Sequence, residues 1–305
     1  MVTDDPTRFA DDVHQTFEAL RFLSPTNSLG RDTVIAGYHA FRWDQQFHSR
    51  IHSFGLRATH RFGDVYAGFD AVGNTGTTRE ISTAYGLITN DPPYDQVIRQ
   101  LGARAVVRYD QPEWSAYLEF DYASGDKNPE TSTPLTQFTF AEDTNVGLLL
   151  FKHVLANQSG RSAAAGEELL RRLGATTYPA QAVDTRGSFT NGIAFFPQVD
   201  VHPHRNVLLR GGALFAWSAA PIIDPIQSLR RKDGPDIGPV LVNYAGGPPA
   251  RYYGTELDGR AQWRFEDHFL FDLEGALLLP GDGLRNRDGQ AVRSVLVQGR
   301  TTFVF

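Results

Sequence analysis

The imidazoles of His202 and His204 are of a type that binds zinc. Pro203 stands between them in what reads as a short turn, and no carboxylate or cysteine is placed to complete a tetrahedral set, so a solvated turn is expected and no metal. Gly125-Asp126-Lys127 and Asp282-Gly283 have the glycine and carboxylate of a calcium loop without its acidic ladder. Both read as plain surface loops. Lys127 lacks the glycine spacing of a phosphate-binding loop. His153 and Asp143 are an acid–base pair by type only, since nothing in their spacing singles them out for a nucleophile. No catalytic residue and no cofactor is expected, and the chain does not read as an enzyme.

What remains is charge with a period of two. Arg104, Arg108, Glu119, Asp121, Arg210, Glu256, Asp258, Arg260, Arg264, Asp272, Glu274, Arg293 and Arg300 each sit within a long alternating segment or at its edge, on the side opposite the apolar residues. Two readings follow. They line a polar conduit whose charges select solutes, or they neutralise one another as ion pairs that fill an interior, because unpaired buried charge is costly.

The segments that carry them are strands by periodicity. In Glu113–Ser124, Trp114, Ala116, Leu118, Phe120 and Tyr122 share one face, and Ser115, Tyr117, Glu119 and Asp121 the other. Thr255–Phe265 sets Leu257, Gly259, Ala261, Trp263 and Phe265 against Glu256, Asp258, Arg260, Gln262 and Arg264. His268–Leu279 and Asn206–Trp217 behave alike, and so, less cleanly, do Thr33–Trp43, Ser53–Phe62, Val65–Gly73, Val97–Tyr109, Phe189–Val201 and Ala291–Phe305. Pro197 is expected to mark a bulge or a strand end. These ten segments run mostly ~10–14 residues, against about 9–11 needed for a tilted strand to cross hydrocarbon. Composition agrees: 29 Gly, 17 Pro, 21 Phe, 11 Tyr and 4 Trp favour strands and turns. A net charge of −6 argues against a nucleic-acid partner. The absence of Cys excludes disulfides. No run of about 18 apolar residues exists for a transmembrane helix.

Connections alternate. Phe62-Gly63-Asp64, Asp110-Gln111-Pro112, 202–205 and Glu266-Asp267 are short, whereas 74–96, 125–187 and 218–253 are long. Counting back from Phe305 puts every long connection at one end, as in barrels with short periplasmic turns and long extracellular loops. The same parity keeps Val146–Leu155 out of the wall, as a helix or an in-folded segment, and Ser162–Leu173 reads as a helix capped by Gly174. Residues 1–30 do not read as barrel; Phe9–Phe22 looks helical. The expected fold is therefore an all-β, antiparallel up-and-down transmembrane barrel over 31–305, with at least ten strands and a short helix in a long extracellular loop.

The last strand alternates from Val295 to Phe303 and Phe305. This resembles the C-terminal signal read by the outer-membrane barrel assembly machinery. Tyr122-Ala123-Ser124-Gly125-Asp126-Lys127-Asn128-Pro129, Gly254-Thr255-Glu256-Leu257-Asp258 and Leu279-Pro280-Gly281 resemble pieces of alginate-export-type barrels, where they sit at strand ends, in the lumen wall and at an outer loop. Phe140-Ala141-Glu142-Asp143-Thr144-Asn145 and Arg186-Gly187-Ser188-Phe189-Thr190-Asn191 are similar to an uncharacterised myxobacterial outer-membrane barrel family. The resemblance spans roughly residues 95–305. Barrels of these families are larger than ten strands, which implies that this chain is a C-terminal part of a longer protein.

The resemblance implies a bacterial outer-membrane location, with membrane lipid and the assembly machinery as partners and a polar solute or anionic polysaccharide as cargo. The function expected is passive passage through a porin-like or exporter-like channel, with the 125–187 connection as plug or gate. The alternative is a non-conducting structural barrel whose outer loops bind a ligand. A soluble β-sandwich is a third reading, and it requires a second sheet to cover Trp114, Phe120, Trp263, Phe269 and Phe271.

Overall fold

The computed structural model describes residues 16–23 (backbone only), 33–142, 144, 146–175, 177–181, 183–230 and 240–303. They form one sheet of eleven strands in strict chain order. The strands are β1 (Thr16–Leu23), β2 (Thr33–Asp44), β3 (Ser49–Phe62), β4 (Val65–Thr78), β5 (Gln96–Asp110), β6 (Trp114–Ala123), β7 (Gly192–His204), β8 (Val207–Trp217), β9 (Tyr252–Phe265), β10 (Phe269–Pro280) and β11 (Ser294–Phe303). Every neighbouring pair is antiparallel. Among the described residues β1 and β11 each have one strand partner.

Alternation fixes the faces because successive side chains point to opposite sides of a strand. Leu209, Trp217, Leu257, Trp263, Phe271 and Leu273 share the face opposite Arg210, Glu256 and Asp272 and stay exposed. Trp114, Phe120, Trp263 and Phe271 are 39–47% exposed, and the described residues hold no second sheet to cover them. That removes the sandwich. Arg104 on β5 and Glu274 on β10 line a common cavity of about 510 Å³. In a flat sheet five strand spacings would hold them ~24 Å apart, so the sheet is strongly curled. The architecture is an all-β, antiparallel up-and-down sheet curled into a barrel-like wall. No helix of the described residues is long and apolar enough to cross a membrane, which says nothing of strands.

Three expectations need correction. Thr16–Leu23 is a strand, not a helix: all eight residues pair with β2, Thr16 opposite Trp43 through Leu23 opposite Ala36. A ladder partner outweighs weak local helix preference. The rest of 1–30 lies outside the described residues. Pro197 neither ends nor bulges β7, whose register runs unshifted from Ile193 to Val201; the irregularity falls between Val201 and His204. Consequently His202 and His204 belong to the end of a strand rather than to a turn.

The loop parity holds. Turns at 63–64, 111–113, 205–206 and 266–268 lie at one end, and 79–95, 124–191, 218–251 and 281–293 at the other. The long connections carry α1 (Glu80–Thr89), a π-helical turn (Leu150–Leu155) continuing into α2 (Ala156–Arg172), α3 (Tyr178–Gln181) and α4 (Pro225–Arg230). Gly174, with φ +70°, follows α2 as expected of a helix terminator. Two apolar cores result. One joins α1, α2, α3 and α4 through Ala84, Tyr85, Leu170, Ala180, Ile226 and Leu229. The other joins the 138–155 segment and Phe189 to inward residues of β6–β10.

Candidate functional site: the inner face and its plug

Along each strand the inner face changes character. Toward the long-connection end it is apolar, with Ala194 and Phe196 on β7, Leu214 and Ala216 on β8, and Ala276 and Leu278 on β10, all buried. Leu149, Leu150, Phe151 and Leu155 of the inserted segment pack against them. The expected in-folding of Val146–Leu155 is what the structure shows.

Glu256 on β9 sits where that apolar zone meets the charged one, opposite Leu214 and Leu278. It is fully buried. One carboxylate oxygen accepts the backbone N–H of Leu148 at 2.6 Å and of Leu149 at 2.8 Å; the other accepts that of Leu150 at 2.6 Å. Leu150 opens the π-helical segment, Leu149 is its N-cap and Leu148 precedes it; none of these N–H groups has an intrahelical acceptor, and they carry the partial positive charge of a helix start. A wall carboxylate therefore caps the inserted helix and holds it to the sheet. Gly147 makes the approach possible. Its φ is +71°, and a Cβ there would lie 2.7 Å from Leu214 Cδ2 and 2.9 Å from Glu256 Oε1.

Beyond Glu256 the inner face is charged. Arg104 reaches Glu119 at 2.5 Å and Asp121 at 3.5 Å. Arg210 grips Asp200 with two bonds of 2.6 and 2.8 Å, and Tyr117 donates its hydroxyl to the same carboxylate at 2.9 Å. The guanidiniums of Arg108 and Arg210 lie over the Tyr117 ring, 4.9 and 5.3 Å from its centroid. Arg108 also pairs with Asp110. Arg260 pairs with Asp272, and with Glu274 at 3.4 Å; Arg300, on β11, lies 3.9 Å from Asp272. Asp258 has both carboxylate oxygens buried without a hydrogen-bond partner.

The candidate lumen residues thus share one surface. Arg104, Glu119, Arg210, Asp258, Arg260 and Glu274 line the 510 Å³ cavity, roofed by Gly147 and Leu148 of the inserted segment. Arg264 is the outlier, exposed near the short-turn end. Arg293 lies in the last long connection. Phe303 is exposed on the outward face beside Phe269, with ring centroids 5.3 Å apart. Phe305 and Asp143 lie outside the described residues. Sequence reasoning did not single out Asp200, although its alternation with Val199 and Val201 places it inward, opposite Arg210. It also gave no partner for Glu256.

No family model matches the chain, and no curated protein matches it. The resemblance to alginate-export-type and myxobacterial barrels accordingly rests on its short motifs alone. Among solved structures, one similar chain is a copper transporter, OprC. It shares 14% identity with a TM-score of 0.41, over 96% of this chain and 42% of that one, so this chain spans less than half of its length.

Proposed function

We propose that this chain is an outer-membrane barrel that passes polar solutes and is held closed by its own 124–191 connection. The supporting observation is the Glu256 carboxylate. It anchors the inserted segment across the inner face through three backbone N–H groups and leaves a charged cavity of about 510 Å³ on the far side. An exposed apolar outer face fits a lipid surround, and a charged inner face fits water and polar solute. Both signs line the cavity, which suits small polar or zwitterionic cargo better than a polyanion.

Single-channel recording in planar bilayers tests this. The native protein is expected to conduct little, and Glu256→Leu to show larger and more frequent openings. If both forms are silent while the variant keeps its strand content, the non-conducting reading gains instead. That reading has support of its own in the helical layer built by the long connections.

A further inference from the structure

Charge is confined to one corner of the outward face. Among the described outward positions of β2–β11, only Arg50 on β3 and Arg99 on β5 are Lys, Arg, Asp or Glu. The two are neighbours. Arg50 stands opposite Trp43 of β2 and Thr77 of β4, and Arg99 stands opposite Thr75 of β4. Two strand spacings and two residues separate the arginines, about 12 Å, a gap that two long guanidinium side chains close around one phosphate. Both are exposed, and neither has an ion-pair or hydrogen-bond partner among the described residues. Their depth follows from the strands. The outward residues from Phe54 to Phe62 and from Leu101 to Tyr109 hold no such charge, and each run matches the about 9–11 residues that cross hydrocarbon. Arg50 and Arg99 come next along the strand, at the long-connection end, where headgroups lie. At the same end β8 and β10 present Trp217 and Leu279 outward instead. Beside Arg50 the rim opens into a hollow of about 470 Å³, lined in part by Trp43, His48 and Thr77. The two carboxylates of this hollow already face arginines, Asp44 with Arg42 at 3.5 Å and Asp95 with Arg79 at 2.6 Å. The charge of Arg50 and Arg99 is left without a counterpart.

We propose that the outward end of β3–β5 binds the phosphate headgroup of a membrane lipid in the leaflet on the long-connection side. Arg50 and Arg99 clamp the phosphate through charge-assisted bonds, the Thr75 and Thr77 hydroxyls between them donate to it, and the acyl chains lie against Phe54 and Leu101. Trp43 sits at the level where aromatic rings flank a bilayer. The proposal rests on the lipid-facing reading of the outward face and is independent of whether the lumen conducts.

The test uses the full chain in phosphatidylcholine vesicles that carry a small fraction of chain-brominated lipid, either phosphatidic acid or phosphatidylcholine, and reads quenching of tryptophan emission. Both lipids are expected to quench, with phosphatidic acid preferred by roughly tenfold at the site. Trp43→Phe is expected to remove that excess, which places the bound lipid beside Arg50. Arg50→Gln combined with Arg99→Gln should lose the preference, while Arg264→Gln, at the opposite end of the wall, should keep it. Inorganic phosphate should not displace the lipid. Quenching by neither lipid would overturn the lipid-facing reading and the site with it. Equal quenching by both, an excess that survives the double substitution or the loss of Trp43, or displacement by inorganic phosphate would overturn the site alone.

Discussion

The two ends of the inner face satisfy buried charge in different ways. At the covered end the Glu256 carboxylate is matched by backbone N–H groups of the inserted segment. At the open end Asp200 is matched sideways by Arg210 and Asp272 by Arg260, arginines of neighbouring strands, while Asp258, next to Glu256 on the inner face of β9, has no hydrogen-bond partner. Lateral pairs hold strand to strand whether or not anything fills the lumen. Glu256 holds strand to plug, and its contacts exist only while the plug is in place. Opening the lumen therefore concerns one acid far more than the rest.

The sharpest way to break this contrast is Glu256→Leu. Removing the acceptor leaves three backbone N–H groups without a partner, at a cost of ~1–3 kcal/mol for each that stays buried. Hydrogen exchange at 148–155 is expected to accelerate strongly while β5–β10 remain protected. Uniform loss of protection across the wall would show instead that plug and wall unfold as one unit.

A charge moved one position along a strand sharpens the contrast from the outside. Leu273 faces outward between Asp272 and Glu274, which both face inward. Leu273→Arg is expected to cost ~2–4 kcal/mol near the middle of a bilayer, read as a lower urea midpoint in lipid vesicles. An unchanged midpoint would contradict a lipid-facing surface. At the open end, Asp200→Asn leaves Arg210 with a weaker partner and is expected to cost ~1–3 kcal/mol. Exchange at 148–155 should stay slow in that variant, since no plug contact is lost.

Much of this contrast is legible in the sequence. Leu209, Ala213, Phe215 and Trp217 alternate with Arg210 because one side meets an apolar surround and the other an interior, and ten of the eleven strands follow from that rule. Their ends move by a few residues, since Thr75–Thr78 and Ser49–His52 extend the ladders beyond the clean alternation. β1 escapes because Glu18 and Arg21 have opposite parity in the sequence, so its eight residues show no clean alternation, and it is the pairing with β2 that marks the strand. Glu256 is legible as an interior acid, yet its partners are backbone groups 106–108 positions away, which leave no mark in side-chain pattern. Arg210 with Asp200 needs the register, not just the parity, and register is set by the turn at 205–206 and the irregularity between Val201 and His204, which periodicity reads poorly.

The mildest test lies in the long connections themselves, far from either end of the inner face. Arg79 donates two bonds to Asp95, at 2.6 and 2.9 Å, closing the base of the α1 connection on the surface. The hydrogen bonds from Arg79, aided by its charge, hold the Asp95 carboxyl below the usual carboxylate range. A depressed folded-state value means the pair contributes above the unfolded Asp value of about 3.9 and loses that contribution as pH falls through the folded one. Exposed pairs are worth little and are screened by salt. Acidifying below that range is therefore expected to lower the protection factor, taken relative to the intrinsic exchange rate at each pH, at 79–95, and high salt should give a similar, smaller effect at neutral pH. Arg79→Gln should abolish the pH dependence there while the Glu256-held segment at 148–155 keeps its protection. If acid loosened 148–155 together with 79–95, the long connections would form a single cooperative layer, and the separation between a capped plug and a surface clasp would fail.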